Sequence, residues 1–479
     1  MEPSLLLHDA RLVLPGAESR AELPSGAVLV RDGRIAAVFS DTPPNIESAE
    51  KVDLAGQVLM PGLVNAHYHS YSNVVRGTEN SLPLEQWALF TVAYGRSLDD
   101  DDIQAAVLLG AAEMLRAGVT AAIDHFAHAG RVEAALEAYH RTGMRIGFAP
   151  MLHDRFDHDL LGIDLPPDLR RRVEGSPRPG AAEMAALFRR VHAAWHGKAD
   201  RITLLLGPNA PQRCSPELWK TWAALARELG VHAHTHLLET QAQASIGLRH
   251  WQDGMLPALA RHGLLNERLS VAHGIWTSLT ERVLLAQHGV TVVHNPVSNL
   301  MLGSGLAPIA DYRARSVRLA LGSDASNTGG RHDLFEVMRL AMMLPRPAMP
   351  DPATWPGAAE AFGWATTGGA RTLGLGGELG RIAEGCRADL VVVDPGGAAE
   401  APLDLNLTAL VQHATPSSVR ATMVEGRWVY RDGRILAFDE KAVLDRYAAL
   451  RARLLERTAA EIATAGEATP FFARLPGRC

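Results

Sequence analysis

The chain has 479 residues, 47% hydrophobic and 21% charged, with a formal net charge of −6. That length suits one large domain plus a smaller one, and the composition is ordinary for a globular enzyme. The mild acidity leaves no electrostatic footprint for nucleic acid or an anionic membrane, and no apolar run approaches the ~20 residues that cross a bilayer.

The N-terminus, MEPSLLLHDARLV, lacks a basic leader and reads as a first strand, not a signal peptide. Residues 28–38, VLVRDGRIAAV, form a strand, an Asp-Gly turn and a strand, a strong hairpin signal. Residues 428–438, WVYRDGRILAF, repeat that pattern near the other end, and ADLVVVD at 388–394 reads as a further strand. One small composite β-sandwich domain built from both termini, 1–57 with 374–439, accounts for this, with the middle of the chain inserted into it.

The middle alternates. Strand-like runs near 58–66, 119–124, 144–151, 202–207, 231–236, 269–273, 290–294 and 317–323 are separated by helical patterns such as DDIQAAVLLGAAEMLRAG and SPELWKTWAALARELG. This predicts an α/β fold, a distorted (β/α)8 TIM barrel over 58–373. A doubly wound open sheet would place its chemistry at one switch point and leave polar residues after so many strands unexplained. No Gly-rich dinucleotide fingerprint follows the early strands. The stretch 154–181, rich in Pro, Arg and Asp, reads as a long loop or lid over the barrel mouth. In the C-terminal unit, 440–479, residues 440–465 predict an amphipathic helix covering the barrel or the small domain. The tail TPFFARLPGR offers two phenylalanines for docking on the body or on a second subunit. Only Cys214, Cys386 and Cys479 are present, which argues against a disulfide framework and for a reducing cytoplasm. Cys479 is the last residue and so forms no prenylation box.

Six polar residues sit at or just past the ends of apolar runs. They are His67 and His69 in PGLVNAHYHS, His236 and Glu239 in HTHLLET, His273 in VAHG and Asp324 in LGSDAS. Residues at the C-terminal ends of parallel barrel strands converge on one point. His67 and His69 share a face by the period of two. Three imidazoles and a carboxylate suit a divalent metal, and the remaining Glu and His suit proton transfer. His-x-His is weak by itself, because the pattern recurs at 232–236; there His232 reads as packing deeper in the barrel and His234 as a support. Asp324 alone would pass for a helix cap in SDASNTGG, but not beside the other strand-end residues in this order. The fourth strand ends in LLLGPNAP, with no Lys or Glu to bridge a second ion. One metal is expected; zinc is favoured by the N/O ligands, and iron(II) also fits.

The motifs PGLVNAHYHS, THLLET, VAHG, HNPVSNLMLGSG and LGSDAS resemble the amidohydrolase superfamily. More narrowly, they resemble its branch of adenosine-derivative, guanine, 8-oxoguanine and pterin deaminases with the triazine hydrolases. The resemblance implies a distorted barrel with a composite β domain. It implies His67, His69, His236 and Asp324 as metal ligands, and Glu239 and His273 as the proton-transfer pair, with Asp324 also accepting the water proton. The implied reaction is deamination of an aminated N-heterocycle, in which hydroxide generated on the metal attacks a ring carbon and ammonia leaves. Dechlorination or N-dealkylamination of a triazine-like ring, or opening of a cyclic amide, is the alternative, since only the leaving group differs. A non-catalytic barrel is disfavoured because every ligand stands. The implied partner is a small heterocycle, with neither nucleic acid nor membrane, and the family suggests a homodimer or higher homo-oligomer.

Candidates for holding a flat substrate are Trp87, Tyr68, Arg76, His125, Phe126, His128 and Trp276, each with loop packing as the stronger competing account. His294 and Asn295 are expected at the pocket wall. GPNAPQRCSPEL resembles a stretch of the adenosine-derivative deaminases, with Asn209 where their ribose-binding His stands; this weighs against a nucleoside. Gln212 and Arg213 either read a carbonyl or ring nitrogen or cap the helix starting at Ser215. Arg155 is a second candidate anchor.

Overall fold

The computed structural model describes residues 4–40, 46, 48–79, 81–397, 401 and 404–473. The strands from the N-terminus are β1 (Ser4–Leu12), β2 (Ser25–Arg31), β3 (Arg34–Phe39), β4 (Ala49–Asp53) and β5 (Val58–Pro61). The middle contributes β6 (Leu63–His69), β7 (Val119–Phe126), β8 (Arg145–Leu152), β9 (Ile202–Leu204), β10 (Gly207–Pro208), β11 (Ala233–Leu237), β12 (Leu269–His273), β13 (Thr291–His294), β14 (Arg318–Leu321) and β15 (Asp324–Ala325). The last four are β16 (Leu390–Val393), β17 (Val419–Val424), β18 (Arg427–Arg431) and β19 (Arg434–Ile435).

Strands from both ends share one sheet, in the order β19-β18-β17-β16-β5-β1-β2-β3, with β4 beside β1. Both Asp-Gly hairpins form. Asp32 and Gly33 (φ 49° and 73°) and Asp432 and Gly433 (φ 48° and 81°) are left-handed, as a two-residue turn matched to strand twist requires. Strand β1 shifts register between Leu7 and Ala10; its first half pairs with β4 and its second with β5. Such a bulge bends a strand. Leu5, Leu7 and Val28 therefore share a core with Leu390, Val392 and Met423 from the other end of the chain. The alternate residues Val391 and Val393 face the main core instead, as the period of two dictates.

Strands β6 to β15 are parallel and form two arcs, β10-β8-β7-β6-β15 with β9 on β8, and β11-β12-β13-β14. A parallel bridge from Leu206 to Ala233 joins them on one side. On the other, the chain pairs with β13 through 318–321 and with β6 through 324–325. The ring is thus a barrel with its fourth strand (β9, β10) and its eighth (β14, β15) each broken in two. Its lower interior is filled by small and branched residues, Ala66, Val293 and Ala320 above Val64, Ala121, Ile123 and Ala149, leaving the C-terminal strand ends for chemistry.

At the seam between barrel and sheet, buried Arg145 forks onto Asp389, each bond 3.2 Å, and donates to Asp200 O at 2.6 Å and to Glu425 at 3.2 Å. The stretch 154–181 is not a structureless loop; it carries helices Asp157–Leu161 and Pro167–Glu174. Pro166 and Pro167 start the second helix, because proline is preset for a first turn. Its Leu169 packs with Leu165, Ala468 and Phe472. The C-terminal helix accordingly runs Glu440–Phe472, beyond the expected end at 465, since Ala465, Ala468 and Phe472 continue its apolar stripe. Phe472 is buried and Phe471 partly so; both pack against Leu165 and Leu169, so the two phenylalanines dock on the body, the first of the two alternatives read from the sequence. This helix lies on helices Leu84–Arg96 and Asp100–Arg116. Cys214 and Cys386 are buried free thiols; Cys479 and the end of the tail lie outside the described residues. Among the described residues no helix is long and apolar enough to cross a membrane.

Candidate active site

His67 and His69 leave β6 on one face, His236 comes from β11, His273 ends β12 and Asp324 opens β15. One nitrogen of each of the three candidate metal-binding imidazoles is already committed. His69 Nδ1 lies 2.5 Å from His125 O, and His236 Nδ1 lies 2.7 Å from Asn209 O. His67 Nδ1 lies 2.7 Å from His234 Nε2, and His234 Nδ1 lies 2.8 Å from Ser270 Oγ. Carbonyls only accept, so His69 and His236 carry the proton on Nδ1. Ser270 Oγ donates to Ala233 O at 3.3 Å and so accepts from His234 Nδ1, which leaves His234 Nε2 to accept from His67 Nδ1 and gives each candidate ligand Nε2 a lone pair.

Those lone pairs converge. His236 Nε2 is 3.2 Å from His69 Nε2. Asp324 Oδ1 is 3.5 Å from His67 Nε2 and 3.4 Å from His69 Nε2. His67 Nε2 is buried without a hydrogen-bond partner. Ligands ~2.1 Å from a tetrahedral ion stand roughly 3.4 Å apart, so His67, His69 and Asp324 are spaced to share one divalent metal ion, with His236 Nε2 against His69 Nε2. Gly322 permits the close approach at His67, and Gly274, next to His273, makes room for Tyr312. A Cβ on Gly322 would fall 2.9 Å from His67 O, and a Cβ on Gly274 (φ 58°) would fall 2.9 Å from the Tyr312 hydroxyl.

Beside this cluster, His273 Nε2 lies 3.6 Å from Glu239 Oε2 and 3.8 Å from Asp324 Oδ2. His273 Nδ1 is 2.9 Å from Asn299 Oδ1. His273 and Asp324 both adopt positive φ, 75° and 62°. This backbone is uncommon for side-chain-bearing residues and recurs at functional sites. Burial drives His67 down to about 4, and drives His234 and His236 well below the usual imidazole range. Burial pushes Glu239 up to about 7, with His273 opposing and Asp324 and Glu85 adding to it. Burial also opposes ionisation of Asp324, but the nearby imidazoles of His67, His273 and His69 hold that carboxyl well below its usual value.

The chain matches the Amidohydrolase family over residues 58–429. A protein named 5'-deoxyadenosine deaminase from Methanothermobacter thermautotrophicus is 33% identical over 433 residues, covering 90% of this chain and 95% of the relative. The chain is a member of the amidohydrolase family. A 5-methylthioadenosine/S-adenosylhomocysteine deaminase from Nitratidesulfovibrio vulgaris is likewise 33% identical to this amidohydrolase, over 95% of this chain and 99% of its own. Among solved structures, an adenosine deaminase from Xanthomonas campestris with bound zinc superposes with TM-score 0.82 at 28% identity, over 94% of this chain and 98% of that one. A zinc-bound atrazine chlorohydrolase from Arthrobacter aurescens reaches TM-score 0.84 at 22% identity, over 93% and 100% of the two chains, a likeness of fold alone.

The remaining candidates of the amidohydrolase divide by strand face. His125 is buried, its ring centroid 4.7 Å from that of His236 and both nitrogens unpartnered, so it stands among the candidate ligand histidines. Tyr68 and Phe126 point the other way: Tyr68 meets the Tyr139 hydroxyl, and Phe126 packs on Phe148 at 5.1 Å. Packing, the stronger account of both from the sequence, is what the structure shows for them. His128 packs against Tyr71 at 4.9 Å, and Arg76 pairs with Glu113. Trp276, partly exposed, donates to Ser304 O at 2.8 Å. Trp87 packs with Leu84, Leu302 and Ala325, next to Asp324.

Arg213 forks onto Asp157 at 2.7 and 2.5 Å and donates to Asn209 Oδ1 at 2.7 Å, so its guanidinium is engaged within the protein. The helix cap is Ser215, not Gln212 or Arg213. Gln212 is buried, with Oε1 unpartnered. Arg155 is half-buried, and its backbone N–H donates to Arg213 O at 3.1 Å. His294 faces the outer helices, while its neighbour Asn295 lies 3.5 Å from His273 Nδ1. Sequence reasoning missed Glu85 and Asn299. Glu85 is buried, accepts from Thr240 Oγ1 at 2.5 Å and acts on Glu239 through its charge. Its only sequence signal was a carboxylate among apolar residues in LPLEQW. Asn299 reaches His273 from the next loop, which spacing along the chain does not reveal.

Proposed function

We propose that this amidohydrolase hydrolytically deaminates an aminated N-heterocycle, with one zinc ion held by His67, His69, His236 and Asp324. The observation that carries the reading is the convergence of three oriented Nε2 lone pairs and a carboxylate beside Glu239 and His273. A divalent ion held there supplies Lewis acidity and brings the pKa of water toward neutrality. Zinc is preferred to iron(II) because of the imidazole-rich set and the bound zinc of the 28% identical structure.

The chain's own residues then move the protons. His273 gives its Nδ1–H to Asn299, so its Nε2 can take a proton from water, and Asp324 Oδ2 shares that task. Glu239, which holds a proton near neutrality, delivers it to the ring nitrogen next to the amine-bearing carbon. Water adds at that carbon; the proton held by His273 and Asp324 passes to the amine, the C–N bond breaks to release ammonia, the new hydroxyl returns a proton to Glu239, and the product is a lactam. Trp87 and Gln212 supply a wall and a hydrogen-bonding edge, and Glu85 an acceptor for a substrate N–H or hydroxyl. Purines head the candidate substrates because both 33% identical relatives are named for adenosine derivatives.

The test is ammonia release by metal-analysed protein from adenine, adenosine-type nucleosides, guanine, pterins and aminotriazines. Ammonia from one class, abolished by Glu239→Gln, is the expected outcome. Protein with about one metal per chain that releases no ammonia from any of them would overturn the deaminase reading. Chloride or alkylamine release would move it to a triazine-type hydrolase.

A further inference from the structure

Behind His273 lies a second, differently built pocket. Val293 of β13 packs inside the barrel with Ala66 and Ala320, so the next residue, His294, faces outward. There it lines a pocket of about 180 Å³, open to solvent at the exposed Leu306, together with Asn299, Pro296, Ile309 and Leu344. The His294 side chain is 3% exposed, and neither ring nitrogen has a hydrogen-bond partner. Asn299 Nδ2 is also buried and unpartnered, while its Oδ1 meets His273 Nδ1. His273 therefore separates this cavity from the cluster of Glu239 and Asp324, which its Nε2 faces.

Unpaired buried polar atoms cost free energy unless something satisfies them. Burial, with a smaller contribution from His273, lowers His294 to about 3, so it stands as a neutral imidazole with one N–H donor and one acceptor nitrogen. The rest of the wall is mostly apolar and uncharged, so it selects against ions. An apolar cavity of about 150 Å³ is enough to hold a benzene ring. Water could meet the polar atoms but would leave the apolar wall wetted. A single ring with a polar edge meets both.

We propose that this cavity is a second binding site, for a small uncharged ring compound whose edge both accepts and donates a hydrogen bond, as a phenol or a lactam does. The ligand accepts from Asn299 Nδ2 and donates to the acceptor nitrogen of His294. By polarising the Asn299 amide it strengthens the hold on His273 Nδ1, so occupancy acts on turnover without occupying the substrate's place.

The experiment titrates phenol, 2-pyridone, benzene and benzoate into the metal-loaded protein, by calorimetry and ligand-observed NMR, for the native chain, His294→Leu and Ala310→Leu. Ala310 lines the same cavity from helix Ile309–Ala314, and a leucine there fills it. Expected is saturable binding of phenol and 2-pyridone at one site per chain, benzene about tenfold weaker for want of the hydrogen bonds, and no benzoate. His294→Leu should weaken phenol about tenfold and spare benzene; Ala310→Leu should remove both. With substrate in hand, phenol should change kcat and leave KM unchanged. No saturable binding to the native chain, equal binding to all three proteins, or displacement of phenol by saturating substrate would each overturn the proposal. The binding measurements do not depend on deaminase activity, so the two readings fail separately.

Discussion

Each candidate ligand imidazole uses one nitrogen to fix its orientation and keeps the other for the ion. This division of labour makes the supporting groups testable. His236→Ala should lose the metal outright, and full metal content would sink that assignment. His234 touches no ion but holds His67 Nδ1, so His234→Ala should weaken metal affinity by about 10–100-fold, the range for lost supporting bonds. Competition with a chelator measures it, and an unchanged affinity would mean that His67 is oriented by packing alone. Glu239→Gln should keep the metal and lower kcat by ~10²–10⁴-fold, the usual contribution of a placed proton donor. His67, His69, His236, Glu239, His273 and Asp324 were all legible as a set, because each follows an apolar run. Tyr68 and Phe126 were not separable from the pocket by composition; the register shift in β6 between Asn65 and Tyr68, which the sequence does not announce, helps set which way Tyr68 points.

Elements carry the site because they are pinned to one another by a few buried contacts. Arg145, at the start of β8, and Asp389, just before β16, are one such pin. Arg145→Met should destabilise the protein by ~3–5 kcal/mol, since it strands a buried carboxylate; adding Asp389→Leu should recover part of that loss. Urea unfolding reads both, and a single variant within about 1 kcal/mol of the native chain would show that water reaches the seam. The hairpins at 32–33 and 432–433 were readable from Asp-Gly alone, since few residue pairs tolerate two left-handed positions. The helices in 154–181 were not. Their short apolar stripe is completed by Ala468 and Phe472, nearly three hundred residues later, and a polar, proline-rich composition conceals it.

At the scale of the whole molecule, burying neutral imidazoles sets how the fold responds to acid. Burial lowers His128, whose Nε2 is buried and whose contacts are Tyr71 and Phe126, from 6.5 to about 4, with Arg131 assisting. The unfolded chain takes up this proton first, so stability contributed by neutral His128 is complete above pH 6.5 and is lost as pH falls toward 4. The loss amounts to about 3 kcal/mol. His128→Phe, seated between Tyr71 and Phe126, should flatten that part of the pH profile, with the difference between the two proteins cancelling any contribution from the metal ligands. Parallel profiles for both proteins would refute the linkage.

The order of strands and helices, the hairpins at both ends and the six strand-end polar residues were determined by the sequence itself. They rest on local rules: periodicity, turn chemistry and the placement of polar groups after apolar runs. Three things were decided only by the tertiary structure: the partners of each Nδ1, the inward or outward face of His125 and His294, and the pairing of Arg213 with Asp157. These depend on which distant segments meet. A carbonyl from Asn209 or an amide from Asn299 reaches its histidine only after the barrel has closed, and no spacing along the chain encodes that meeting.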